Sequence, residues 1–251
     1  MLKSFASGAM FGDSVGSGAS RVLALHGWRR ERGDFRRVLD GLDALALDLP
    51  GFGASPPPPE AWGSAQYAAA VAPVLEEMES DGPPVVLGHS FGGRVAVHLA
   101  AEWPERVAAL VLTGVPLLRP ASATAGAGRK PPLAFRTARA LHRRGLFPDD
   151  RMEALRKRHG SADYRAASGV MRDVLVRVVN ETYEEQLRAV RCPVELVWGD
   201  DDTAAPLEVA ERAAEMLGDL ATLTVVPGAG HLTPTTAPDA LRDAVERRLA
   251  P

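Results

Sequence analysis

The 251-residue chain has a single cysteine, few aromatic residues (6%) and no long run of apolar residues. One cysteine excludes an internal disulfide and leaves no cysteine cluster for zinc. Cys192 precedes Pro193 at the start of a short apolar run, where it reads as a small buried hydrophobe rather than a reactive thiol. An excess of charge is missing too. The net charge is −3 and the pI is near 6.1, which makes no case for nucleic acid or an anionic membrane as partner. The N-terminal "MLKSFASGAMFGDSVGSGAS" has an early Lys, but its glycines interrupt what apolar character there is. No signal peptide or transmembrane span is read there, so the expectation is a cytoplasmic protein. What is present is 46% hydrophobic and 24% charged residues, an ordinary globular balance, at a length that fits one domain with an insertion.

Six short apolar runs recur: "RVLALHG" (21–27), "LDALALDLPG" (42–51), "PPVVLGHS" (83–90), "VAALVLTGV" (107–115), "CPVELVWGD" (192–200) and "ATLTVVPGAG" (221–230). Near-continuous Val, Leu and Ala is the pattern of strands covered on both faces. Helical patterns separate most of them. Residues 64–80 place Tyr67, Val71, Val74, Leu75 and Met78 at helical spacing, and 206–217 and 237–249 read similarly. Strand–helix alternation predicts the α/β class: a mostly parallel central sheet with helices on both faces.

From about Pro116 to Arg188 no run looks like a strand. "ASATAGAGRKPP" (121–132) is a low-complexity entry, followed by helical patterns around 134–144, 149–158 and 169–187. In the last of these, Val170, Met171, Val174, Leu175, Val178 and Val179 form an apolar stripe that must be buried against something. The expected organisation is a core of 1–116 and 188–251 carrying a helical cap, 117–187, inserted between two strands. Over 117–165, Lys plus Arg number 12 against 4 Asp plus Glu, in a chain of net charge −3. Either some of Arg136, Arg139, Arg143 and Arg144 face a cleft and attract an anionic substrate, or they form a solvated face.

The chemistry-bearing stretch is "VVLGHSFGGRVAVHLA" (85–100). Strand–G-x-S-x-G–helix is the pattern of a nucleophile elbow, in which Ser90 sits on a tight turn that only small neighbours permit. The bland alternative is a strand-to-helix turn that merely needs small residues. A nucleophilic serine requires a base and an orienting acid. Of the histidines beyond Ser90, His98 lies along the departing helix, and His142 and His159 fall in the Arg-rich insert. His231 follows a strand directly, in "VVPGAGH", and is the expected base. For the acid, "VWGDDDTAAP" (197–206) offers three aspartates at a strand end, whereas "VLTGVPLL" (111–118) has no carboxylate. His26 and His89 read as buried bracing residues.

Together, "LALHGW", "DLPGFGAS", "GHSFGG", "WGDDDTAAP" and "GAGH" resemble the α/β-hydrolase superfamily, in its capped branch of small-molecule serine hydrolases and esterases. The resemblance runs from about residue 20 to the C-terminus. It implies an α/β-hydrolase fold and a triad of Ser90, Asp202 and His231, with Asp201 as second choice for the acid. Gly199, Asp202 and Pro206 match the spacing of the acid segment in relatives. It also implies an oxyanion hole from the backbone N–H groups of Trp28 and Phe91, with no metal and no cofactor.

A serine at position 90 departs from the dehalogenases and epoxide hydrolases of this fold, which use aspartate there, and suits attack on an acyl carbonyl. The expectation is a hydrolase of small carboxylic esters acting through an acyl-enzyme. Alternatives on the same residues are a carbon–carbon hydrolase of diketones, a perhydrolase or a lyase, and outside enzymes a ligand-binding protein. Phe135, Leu141, Met171 and Leu175 are the candidate pocket residues. A small-molecule substrate is the only partner the residues call for; they leave the oligomeric state open.

Overall fold

One eight-stranded sheet organises the chain, with strands β1 (Leu2–Phe5), β2 (Met10–Val15), β3 (Val22–Leu25), β4 (Ala44–Asp48), β5 (Val85–His89), β6 (Ala109–Thr113), β7 (Val194–Gly199) and β8 (Ala221–Val226). The structure is a computed structural model describing residues 2–78, 80–119, 133–142, 144–159 and 161–250. The spatial order is β1-β2-β4-β3-β5-β6-β7-β8. From β4 to β8 every neighbouring pair is parallel, while β1 and β2 form an antiparallel hairpin joined antiparallel to β4.

The six apolar runs of the sequence become β3 to β8. Strands β3 to β7 are buried at every position, so they carry no polar alternation; β8, at the edge, is half-exposed and carries Thr222 and Thr224. The hairpin was not anticipated. Ser4, Gly12, Asp13 and Ser14 break its apolar pattern, and its place is set by long-range pairing, such as Phe11 opposite Asp48.

Both faces of the sheet are covered. One core unites α1 (Ser64–Glu77), α2 (Phe91–Glu102) and α8 (Leu207–Leu217), with Tyr67, Val95, Leu99 and Val209 wholly buried. On the other face α10 (Pro238–Leu249) packs Leu241, Ala244 and Val245 against Val85, Val111 and the Phe35–Leu39 segment. At about 25 cal/mol per Å² of apolar surface, burial on this scale is the main stabilising term.

Between β6 and β7 the described residues form helices α3 (Leu133–His142), α4 (Asp149–His159), α5 (Ala162–Ala166), α6 (Gly169–Val178) and α7 (Glu184–Ala189), and no strand. The apolar stripe of α6 buries Val174, Leu175 and Val178, but Val179, at its C-cap, is 58% exposed. The chain then turns through the buried Tyr183, whose hydroxyl meets Ser64 Oγ at 2.9 Å and donates to Glu181 Oε2 at 2.8 Å. The Glu181 carboxylate in turn accepts from the Ser64 N–H at the start of α1. This network ties the return of the insert to the core, and α7, which straddles position 187, packs on α2 and α8.

Candidate active site

Ser90 lies between the end of β5 and the first residue of α2, with φ 49° and ψ −109°. A non-glycine residue held there costs about 1–3 kcal/mol, which the surroundings must offset. They can do so because three positions carry no side chain. A Cβ on Gly92 would sit 2.1 Å from the Leu25 carbonyl oxygen, one on Gly88 2.5 Å from Gly93 Cα, and one on Gly93 2.2 Å from Val115 Cγ2. The elbow is then pinned by Ser90 N–H to Thr113 O at 3.0 Å and Gly92 N–H to His26 O at 2.9 Å.

His231, on the loop after β8, faces the elbow. Its Nε2 is 3.1 Å from Ser90 Oγ and its Nδ1 is 2.8 Å from Asp202 Oδ2. Asp202 is buried, and its Oδ1 accepts from the N–H groups of Ala204 and Ala205, both at 2.8 Å. Burial alone would raise this carboxyl; the hydrogen bonds from His231, Ala205 and Ala204 outweigh it and hold Asp202 below the ordinary carboxylate value. The neighbouring aspartates do other work. Asp200 Oδ1 accepts from Gly228 N–H at 2.7 Å, and the Asp201 backbone donates to Ala229 O at 3.0 Å, so both shape the His231 loop while their side chains stay exposed.

Gly114, just past β6, leaves the space in which this pair sits. Its φ is +59°, and a Cβ there would lie 3.0 Å from His231 Nδ1 and 3.2 Å from Asp202 Oδ2.

The N–H groups of Phe91 and Trp28 have no hydrogen-bond acceptor among the described residues. That of Phe91 opens α2, where the helix dipole favours negative charge. Aromatic rings brace both: Trp28 meets Phe52 and Phe91 edge-to-face at centroid distances of 5.0 and 5.5 Å, and Tyr67 meets Phe91 at 4.9 Å. His26 braces the turn beneath. Its Nε2 accepts from Leu49 N–H at 3.0 Å, so its Nδ1 carries the proton and donates to Gly27 O at 2.8 Å. Burial lowers its pKa and keeps this tautomer neutral.

Asp48, at the end of β4, holds the same wall. Wholly buried, it accepts from the Arg32 guanidinium, from Arg32 N–H at 2.8 Å and from Ala54 N–H at 2.8 Å. It thereby locks the loop bearing Phe52 to the turn bearing Trp28. An aspartate directly before Leu-Pro-Gly at a strand end was the available signal.

The candidate pocket residues separate. Met171 packs on the turn at Gly51: a Cβ on Gly51 would be 2.3 Å from its sulfur. Leu175 is buried, and Leu141 is 40% exposed. The side chain of Phe135 lies outside the described residues, as do those of Arg136, Arg139 and Arg143; Arg144 is exposed. The insert also meets the Trp28 turn through Arg29 Nη1 to Asp163 Oδ1 at 3.2 Å. A cavity of about 300 Å³ bordered by Lys3, Ser14 and Ser20 belongs to the antiparallel edge, several strands from Ser90. No group of three or more His, Cys, Asp or Glu among the described residues could hold a metal, and no described helix is long and apolar enough to cross a membrane.

A sheet of this order with an elbow serine, a loop histidine and a strand-end aspartate defines a class, and comparison with known proteins gives it a family. The chain belongs to the alpha/beta hydrolase family, whose model matches residues 22–244. It is 43% identical over 99 residues to lipase LipV of Mycobacterium tuberculosis, covering 38% of this chain and 37% of that protein. It is 31% identical over 180 residues to the putative carbamate hydrolase RutD of a Caulobacter species, covering 64% and 63%. These matches thus span less than two thirds of the length of either relative. A solved serine hydrolase involved in carbazole degradation superposes with a TM-score of 0.72 at 21% identity over 99% of this chain and 98% of that one, a likeness of fold.

Proposed function

We propose that the protein is a serine hydrolase of small carboxylic esters, with Ser90 as nucleophile, His231 as general base and Asp202 as the acid that orients it. The observation carrying this reading is the single imidazole bonded at Nε2 to Ser90 Oγ and at Nδ1 to the buried Asp202 carboxylate. In the first step His231 Nε2 takes the Ser90 proton while Oγ bonds to the substrate carbonyl carbon. The developing oxyanion is received by the unpaired N–H groups of Phe91 and Trp28, each worth about 3–4 kcal/mol to the barrier. His231 then returns the proton to the departing alcohol, leaving an acyl-Ser90 that water hydrolyses by the same steps.

The helices between β6 and β7 act as a cap whose contacts at Met171 and Asp163 set the shape of the mouth. The two names above, a lipase and a carbamate hydrolase, both describe acyl-carbonyl chemistry, which fits this reaction. The test is a fluorophosphonate probe beside p-nitrophenyl acetate turnover. Wild type should label and turn over, and Ser90→Ala should do neither; a Ser90→Ala variant as active as its parent overturns the proposal. A broad panel that includes a vinylogous diketone then sorts ester from carbon–carbon cleavage.

A further inference from the structure

His89, the residue before the nucleophile, is 1% exposed and sits between two loops of the site. Its Nε2 is 2.9 Å from the backbone carbonyl oxygen of His231. A carbonyl can only accept, so Nε2 carries the proton and Nδ1 holds a lone pair. That Nδ1 is buried and has no partner among the described residues. It faces the other loop: a Cβ on Gly27 would lie 2.8 Å from Nδ1 and 3.0 Å from Cε1. The Nδ1–Cε1 edge of the imidazole therefore abuts the turn that leads into Trp28.

Resting on the serine-hydrolase reading, we propose that His89 is a positioning residue that holds the His231 loop in register with the elbow by donating its Nε2–H to the His231 carbonyl. The ring touches neither substrate nor reacting atoms; it acts through the backbone of the base. The contact spans 142 residues of sequence and is the one hydrogen bond from the elbow side chains to the His231 backbone among the described residues. The His231 side chain also bonds to Ser90 and Asp202, but those bonds aim the ring only if its own backbone is held. Burial, then the proximity of the His231 ring at a centroid distance of 5.1 Å, lowers the His89 pKa to about 4. His89 thus stays neutral while its neighbour takes on the proton of Ser90.

The test compares His89→Phe, which keeps a flat ring and loses the donor, with His89→Gln, whose amide nitrogen has nearly the reach of Nε2. His89→Phe should lower kcat on p-nitrophenyl acetate by about 10- to 100-fold with KM within about twofold, as expected for a misplaced catalytic group. His89→Gln should recover most of that loss, with fluorophosphonate labelling rates following kcat. A His89→Phe protein of wild-type kcat, or equal losses in two variants of unchanged Tm, overturns the proposal. Should either variant fail to fold, ¹⁵N NMR of the wild-type imidazoles decides: a neutral Nε2–H tautomer for His89 at pH 6 is expected, and an Nδ1–H tautomer or a charged ring refutes it. Activity surviving in Ser90→Ala would sink the serine-hydrolase reading instead, and the tautomer measurement stands apart from that outcome.

Discussion

Asp202→Asn tests the proposed orienting acid, and the geometry predicts how it fails. Oδ1 accepts from two backbone N–H groups, those of Ala204 and Ala205, while Oδ2 meets His231 Nδ1. Asparagine keeps one oxygen. Pointing it at the two backbone donors places the amide NH₂ against Nδ1, which must then present a lone pair, so the imidazole proton moves to Nε2. In that tautomer Nε2 can donate to Ser90 Oγ but cannot take its proton. The opposite rotamer restores the productive tautomer but sets an NH₂ against the buried Ala205 donor and the more exposed Ala204 donor. At about 1–3 kcal/mol for the buried donor and about 1 for the other, the penalty is about 2–4 kcal/mol, or roughly 30- to 10³-fold in kcat. The same substitution in a serine protease triad costs about 10⁴-fold. The assay is kcat on p-nitrophenyl acetate at pH 7, with Asp200→Asn and Asp201→Asn as controls expected within about threefold of wild type. An Asp202→Asn enzyme retaining more than about a tenth of wild-type kcat would falsify the assignment.

Other outcomes follow from the same geometry. Because the Asp202 pKa is depressed in the folded state, its contribution to stability is present above the unfolded carboxylate pKa and is lost as pH falls through the lower folded value. Asp202→Asn should therefore flatten the acid limb of a urea-midpoint-against-pH curve, and an unchanged limb would contradict the shift. Gly92→Ala, whose methyl would meet the Leu25 carbonyl oxygen, should cost about 3 kcal/mol or more and lower Tm; a variant as stable as wild type would show that the elbow can relax. Tyr183→Phe removes a buried hydroxyl from Ser64 and Glu181 and should cost about 1–2 kcal/mol in urea unfolding. Arg29→Ala breaks an exposed ion pair with Asp163 and should change stability by less than about 1 kcal/mol, so a larger loss would mean that the insert is anchored chiefly there.

The strands were legible where burial on both faces left no choice but apolar residues, as in "VVLGH" and "ALVLT". They were illegible in β1 and β2, where Phe5 and Met10 are buried but most other positions are not. Ser90 and His231 stood out because glycines surround them, and glycine marks a backbone that must come close to something. Asp202 was harder. Three adjacent aspartates are identical as chemistry, and what separates them is which backbone N–H each one meets. The contacts of His89 and Asp48 rest on partners in other loops; a local pattern can mark such a residue but does not encode its partner. Pocket residues were the least legible. Helical spacing offers Leu141 and Leu175 as candidates, but the facing of a helix is decided by what it packs on; Leu141 is 40% exposed and Leu175 is buried.

Gly114 closes off an alternative design. Two strand ends, those of β6 and β7, point toward the same imidazole, and in principle either could supply its carboxylate. The missing side chain at 114 leaves the void that Asp202 and His231 occupy, so the two donors are mutually exclusive tenants of one space. Migration of the acid from β7 to β6 cannot proceed by adding a carboxylate first and removing the other later, since the intermediate would hold both in a volume fit for one. A designer wishing to move the acid must therefore change positions 114 and 202 together.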